Sequence, residues 1–195
     1  AGPMLDVTPT AFLSRLRERE SVGRLAFEAL ILTAARSGEI RQAVWSEIDL
    51  ENALWTIPAN RMKAGREHVV PLSAEAVSAF KRAQAYREVR SEFVFPGARQ
   101  GKPLSDMTLT KICRDMEIAA VPHGFRSSFR DWVAETTEFD GEIAEMALAH
   151  TIQNKVEAAY RRGNLLEKRR KLMDVWADYC AGSIGPEAKG EAKDK

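Results

Sequence analysis

Two short runs in this chain, Leu54-Trp55-Thr56-Ile57 and His68-Val69-Val70-Pro71-Leu72, carry a strand-like pattern, while most other apolar residues recur at helical spacing. The segment between them, 58–67, is basic and turn-like, with Asn60 and Gly65. The pattern predicts one hairpin with a charged tip, set in a chain that is otherwise largely helix. Phe93-Val94-Phe95 before Pro96-Gly97 reads as one further short strand.

The helical readings follow from stripes and breakers. Residues 25–35 place Leu25, Ala29 and Leu32 on one stripe, and Ser37-Gly38 reads as its break. Residues 39–45 read as a short second helix. Ser73 suits an N-cap before a helix over 74–87. Ser105 or Asp106 is the expected cap of a helix carrying Leu109, Ile112, Cys113 and Met116. Phe125, Phe129, Trp132 and Val133 form a core-facing stripe, and Ile143, Ala147 and His150 follow at similar spacing. The last helix carries Leu165, Leu172, Trp176 and Tyr179, a stripe that must be buried somewhere and is expected to dock on its own domain.

Composition narrows the class. With 195 residues, 45% hydrophobic and 29% charged, the chain can bury a core without staples, which excludes wholesale disorder. Residues 29–35 are the longest apolar stretch, well short of the ~20 residues a membrane span needs. No basic-then-apolar leader reads as a secretory signal. Cys113 and Cys180 offer neither a disulfide framework nor metal spacing and read as buried thiols in a reducing compartment. Net charge is only +1, but it is unevenly spread. Residues 155–171 hold seven Lys/Arg against two acids, and residues 127–149 hold one Arg against six acids.

Six side chains stand out. Taken singly, each has an ordinary explanation. Arg36 at a helix break reads as a capping cation, and Lys63 at a hairpin tip as a solvated one. Tyr160 between Ala159 and Arg161 reads as surface amphipathicity. His150 reads as a helix C-cap. His123 and Arg126, three apart at a helix start, share a face where free N–H groups favour an anion. Arg adds the fork geometry that matches phosphate oxygens.

As an ordered set they resemble the tyrosine recombinase, or phage integrase, family. The resemblance rests on Thr33-Ala34-Ala35-Arg36-Ser37-Gly38-Glu39, Lys63 before Val69-Val70-Pro71-Leu72-Ser73, and Phe93-Val94-Phe95-Pro96-Gly97. It continues through His123-Gly124-Phe125-Arg126, Leu148-Ala149-His150 and Ala159-Tyr160-Arg161. Ala34-Ala35 and Ala149 stand where glycines are common in the family. The resemblance spans about residues 21–180. It implies a mostly helical α+β fold with a small antiparallel sheet at one edge. It divides the chain into a leader or linker over 1–20, a catalytic domain over 21–182 and a disordered tail over 183–195. Family members carry helical DNA-binding domains in front of this one, so the chain resembles an isolated catalytic domain.

The implied chemistry is DNA strand cleavage and rejoining through a 3′-phosphotyrosyl intermediate, in an integrase of a prophage or genomic island. Arg36 and Arg126 would hold the scissile phosphate, and His150 would donate to the same oxygens. Tyr160 would be the nucleophile, His123 its base, and Lys63 the acid for the leaving 5′ oxygen. No cofactor and no metal are expected, since the arginines supply the positive charge. The implied partner is double-stranded DNA, bound by a homotetramer during recombination, in which the last helix can exchange onto a neighbouring protomer, and a monomer otherwise, with DNA-bending proteins as candidate accessories and no membrane. The implied location is the bacterial cytoplasm or nucleoid. A strand-swivelling topoisomerase of the related type and a non-cutting DNA-binding module remain the alternatives.

Overall fold

The computed structural model describes residues 7–150 and 165–183. It opens with a helix where a leader or linker was expected. In α1 (Pro9–Leu16), Thr8 caps the first turn by accepting the Ala11 N–H at 3.1 Å, and Pro9 sits where its missing N–H costs nothing. Phe12, Leu13 and Leu16 are buried, so this segment is part of the core. The Phe12 ring meets Phe27 at 4.9 Å and Phe125 at 4.7 Å.

Helix α2 (Val22–Thr33), capped by Ser21, is buried along almost its whole length and forms the centre of the domain. Its end differs from the sequence reading. Ala34 adopts a left-handed conformation (φ 52°) and ends the helix, and Ser37-Gly38 instead open α3 (Ser37–Arg41). Helix α3 stops at Gln42 because the chain then leaves to bridge Val44 with Phe93. A tight 3-10 turn over Trp45–Glu47 leads into the sheet.

The sheet has three antiparallel strands in chain order: β1 (Ile48–Asp49), β2 (Leu54–Ile57) and β3 (His68–Pro71). Trp55 faces Val70 and Ile57 faces His68, the hairpin expected from the sequence, while the two-residue β1 is an addition to it. Phe93-Val94-Phe95 does not form a strand; Val94 and Phe95 are buried in the core. Beside them Pro96 bridges Pro103, and two prolines have no N–H with which to extend a ladder.

Helix α4 (Ala74–Ala83), capped by Ser73, ends before the expected limit in a 3-10 turn over Gln84–Tyr86. Its Phe80 packs on Trp55 of β2. A buried carboxylate pins α1 and α4 to α2: Glu28 accepts from Arg17 and from Arg82, each at 2.7 Å. Helix α5 (Thr108–Asp115) starts after Met107 with no side-chain cap; Ser105 Oγ lies 3.0 Å from Thr108 Oγ1 instead of capping the backbone.

Helices α6 (Gly124–Thr136), α7 (Gly141–Ala147) and α8 (Leu166–Cys180) complete the described fold. The expected stripe on α6 is buried, and it meets α8 through an aromatic cluster of Phe129, Trp132, Trp176 and Tyr179. Helix α8 therefore docks on its own domain. Arg169 Nη2 donates to Val69 O at 2.6 Å, which fastens α8 to β3. Cys113 and Cys180 are buried thiols, as expected. Among the described residues no helix is long and apolar enough to cross a membrane. Of the expected tail, residues 184–195 lie outside the described residues.

Candidate active site

Arg126 is the centre of the site. It stands in the first turn of α6, and its side chain is drawn inward, leaving the residue only 4% exposed. A buried guanidinium must find acceptors. Nη1 donates to Ala34 O, and Nη2 donates to Leu148 O at 2.7 Å. Those two carbonyls lie at the ends of α2 and α7, so one side chain holds two helix ends together. A guanidinium has five N–H donors, so hydrogens remain for an anion. Burial, and then the like charge of Arg36, lower the Arg126 pKa to about 10, which leaves it cationic at neutral pH.

The helix ends held by Arg126 deliver the next two groups. Two residues past Ala34, Arg36 precedes the first turn of α3. Its backbone N–H donates to Glu39 Oε2 at 3.0 Å and its Nη1 to Glu39 Oε1 at 2.9 Å. Two residues past Leu148, His150 lies with Nε2 3.4 Å from Arg126 Nη2 and Nδ1 2.6 Å from Glu145 Oε2. Ala149 between them is left-handed, with φ 53°. Ala34 and Ala149 are thus the left-handed residues at which the chain turns into the site.

His123 precedes α6 and is exposed. Burial, then Arg126, Arg36 and His150, lower its pKa below the ordinary value, which favours a neutral ring able to accept a proton. Lys63 is exposed and lines one cleft with Arg36, Glu39 and Asn60. Its neighbours fix the hairpin around it. Met62 is buried, and Arg61 donates to Glu47 Oε1 at 2.6 Å and to Glu39 O at 3.3 Å. Arg36, His123, Arg126 and His150 thus form one cluster, with Lys63 beside Arg36. Tyr160 lies outside the described residues.

Four supporting groups were not singled out in the sequence. Glu39 was quoted only as part of a motif, although its position three residues after Arg36 is a capping signal. Glu145 carries no sequence signal, because it lies five positions before His150, off the three- and four-residue spacings of a helix face. His68 was read only as a strand residue. Burial, then the charge of Arg169, lower its pKa to about 4, opposed by the nearby Ala147 backbone. Arg169, one of the seven basic residues of 155–171, is buried. Among the described residues no group of three or more His, Cys, Asp or Glu could hold a metal ion.

A small helical domain with a three-stranded sheet, centred on a buried arginine between a second arginine and a histidine, is the architecture expected of a tyrosine recombinase catalytic domain. The sequence model of the phage integrase family matches residues 10–166, and the chain belongs to that family. It is 37% identical over 171 residues to prophage integrase IntZ of Escherichia coli (strain K12), covering 86% of this chain and 42% of that protein. It is 33% identical over 188 residues to the integrase of Enterobacteria phage P4, covering 86% and 43%. The chain thus spans about two fifths of the length of these curated relatives. The fold is similar to the crystal structure of XerA recombinase, with a TM-score of 0.63 at 15% identity over 88% of this chain and 66% of that one. It is also similar to XerH recombinase in its post-cleavage complex with a palindromic difH substrate, with a TM-score of 0.60 at 19% identity over 91% and 55%.

Proposed function

We propose that this chain is the catalytic part of a prophage or genomic-island integrase, which cleaves and rejoins double-stranded DNA at specific sites. One observation carries the reading: the buried Arg126 sits between Arg36 and His150 with donors to spare, a preorganised cationic cradle for one phosphate.

In this reading Arg36 and Arg126 hold the non-bridging oxygens as charge accumulates on them, and His150 donates to the same group. The Tyr160 phenol oxygen attacks phosphorus, and its proton passes to His123. The P–O5′ bond breaks, and the leaving oxygen takes a proton from Lys63. The products are a 3′-phosphotyrosyl bond and a free 5′-hydroxyl. Attack by a second strand's 5′-hydroxyl reverses these steps, so no ATP is consumed. The positive charge comes from the protein, and the reading calls for no metal.

Residues 21–182 act as the catalytic unit, joined by α1, whose core contacts make it part of the same body. The working assembly is a tetramer on recombining DNA in the bacterial cytoplasm or nucleoid, with DNA-bending proteins as candidate accessories. The test is incubation with a nicked suicide duplex of the cognate site, followed by denaturing electrophoresis. A covalent adduct is expected, and it should vanish in Tyr160→Phe while DNA binding persists. An adduct that persists in the Phe variant removes Tyr160 from the role. Relaxation of plasmids lacking any recombination site would favour the swivelling topoisomerase instead.

A further inference from the structure

The Glu145 carboxylate has a separate partner for each oxygen. Oε2 lies 2.6 Å from His150 Nδ1, and Oε1 lies 2.9 Å from Arg130 Nε. A carboxylate only accepts, so the hydrogen in the first contact belongs to Nδ1. The backbone adds a second tie, since the His150 N–H donates to Glu145 O at 2.9 Å. The imidazole is therefore held at its backbone and at one ring nitrogen, and only Nε2 is left to face Arg126 and the phosphate cradle. Arg130 lies one turn beyond Arg126 on α6. Positions four apart share a helix face, so the helix that carries the central arginine also braces the carboxylate that orients the histidine.

We propose that Glu145, braced by Arg130, is a positioning residue: it accepts from Nδ1–H and so fixes the ring orientation of His150, which, carrying a proton on each nitrogen when the phosphate is bound, donates from Nε2–H to the scissile phosphate. The proposal rests on the reading of His150 as a phosphate-binding group. Carboxylates that hold the far nitrogen of a metal-bound imidazole do this elsewhere, fixing the ring and typically contributing about 10- to 100-fold to metal affinity or activity.

Two measurements test it on the 195-residue chain. The first needs no DNA. The chain has three histidines, and imidazole ¹⁵N spectra of the DNA-free protein, taken with the ring neutral, should place the single His150 proton on Nδ1. Glu145→Gln, whose amide oxygen still accepts, should keep it there, and Glu145→Leu should move it to Nε2. A proton found on Nε2 at the outset, or unmoved in Glu145→Leu, overturns the proposal. The second is a double-mutant cycle on the nicked duplex. Glu145→Leu should slow adduct formation about 10- to 100-fold with His150 present. In a His150→Ala background it should add less than about twofold, because the two residues act through one contact. An equal loss in both backgrounds would make Glu145 merely structural and overturn the proposal. The expected tautomer in a protein that forms no adduct would count against the functional reading alone.

Discussion

The end of α2 and the end of α7 are built alike. Each helix stops on a left-handed alanine, Ala34 or Ala149, and each offers a carbonyl to Arg126. Each then presents a cationic or protonatable side chain, Arg36 or His150, held by a glutamate. The supports differ. Arg36 is held by the nearly buried Glu39, and the α2 end is braced from behind by Trp176, whose Nε1 donates to Ile31 O at 2.8 Å. His150 is held by the partly exposed Glu145, which it shares with the exposed Arg130, and the titratable His68 lies beside Ala147 at the α7 end. One arm of the cradle is anchored in the apolar core, and the other in polar, titratable groups near solvent. The first should respond to packing changes and the second to pH.

The largest effect should come from the residue the two arms share. Arg126→Lys keeps a charge but cannot reach both carbonyls with a planar fork. Loss of one preorganised donor typically costs 10²–10³-fold in rate. Adduct formation on the nicked duplex should fall by at least ~10²-fold. Hydrogen exchange should quicken at both helix ends, 34–36 and 148–150. Exchange that quickens at one end alone would break the symmetry argued here.

Trp176→Ala should strike the α2 arm selectively. Trp176 is fully buried, with Phe129 and Trp132 rings at 5.2 and 5.1 Å. Truncations of this kind typically cost ~3–5 kcal/mol. Trp176→Phe keeps much of the ring packing but leaves Ile31 O without its indole donor. It should lose less stability yet still loosen 34–36 relative to 148–150. Equal loosening of both ends in the Phe variant would show that Trp176 supports the core and not the arm.

Much of this arrangement was legible in the sequence, and the gaps have physical causes. The Phe125, Phe129, Trp132 and Val133 stripe and the hairpin carry a period that a sequence displays directly. Arg36, Arg126 and His150 were legible only as members of an ordered set of motifs that resembles a known family, since each alone has an ordinary explanation. Helix α1 was missed even though Thr8-Pro9 is a start signal. It has only eight residues, too few for a strong periodicity. The Phe93-Val94-Phe95 run looks like a strand because it is apolar, but pairing depends on a partner edge that Pro96 and Pro103 do not provide. Glu145 was not legible, because it meets His150 only after the chain turns back at Ala149.

The α7 arm should fail in acid. His68 has its pKa lowered from 6.5 to about 4, so the folded state keeps the ring neutral while the unfolded chain binds a proton. Its contribution is complete above pH 6.5 and is lost as pH falls towards 4. At ~1.4 kcal/mol per pH unit, that interval corresponds to up to ~3 kcal/mol. His68→Gln keeps a polar side chain but cannot titrate. Denaturation curves between pH 7 and 4 should therefore be flatter for the Gln variant than for the unsubstituted chain. Parallel curves would assign the acid sensitivity to other groups.

The smallest effect separates the arms most cleanly, because it asks one question at two equivalent positions. A left-handed conformation costs an L-residue roughly 1–2 kcal/mol, and glycine escapes that cost. Against this, glycine makes the unfolded chain freer by ~0.4–1 kcal/mol. Ala149 is partly exposed, so its methyl contributes little packing, and Ala149→Gly should stabilise by about 0.5–1 kcal/mol. Ala34 is 2% exposed, and removing its methyl forfeits about 0.8 kcal/mol of burial, so Ala34→Gly should be close to neutral. Melting temperatures of the two variants therefore test whether one arm is built into the core and the other laid against it. A gain at Ala34 equal to that at Ala149 would show that the two helix ends are packed alike, and the distinction between the arms would then rest on their polar partners alone.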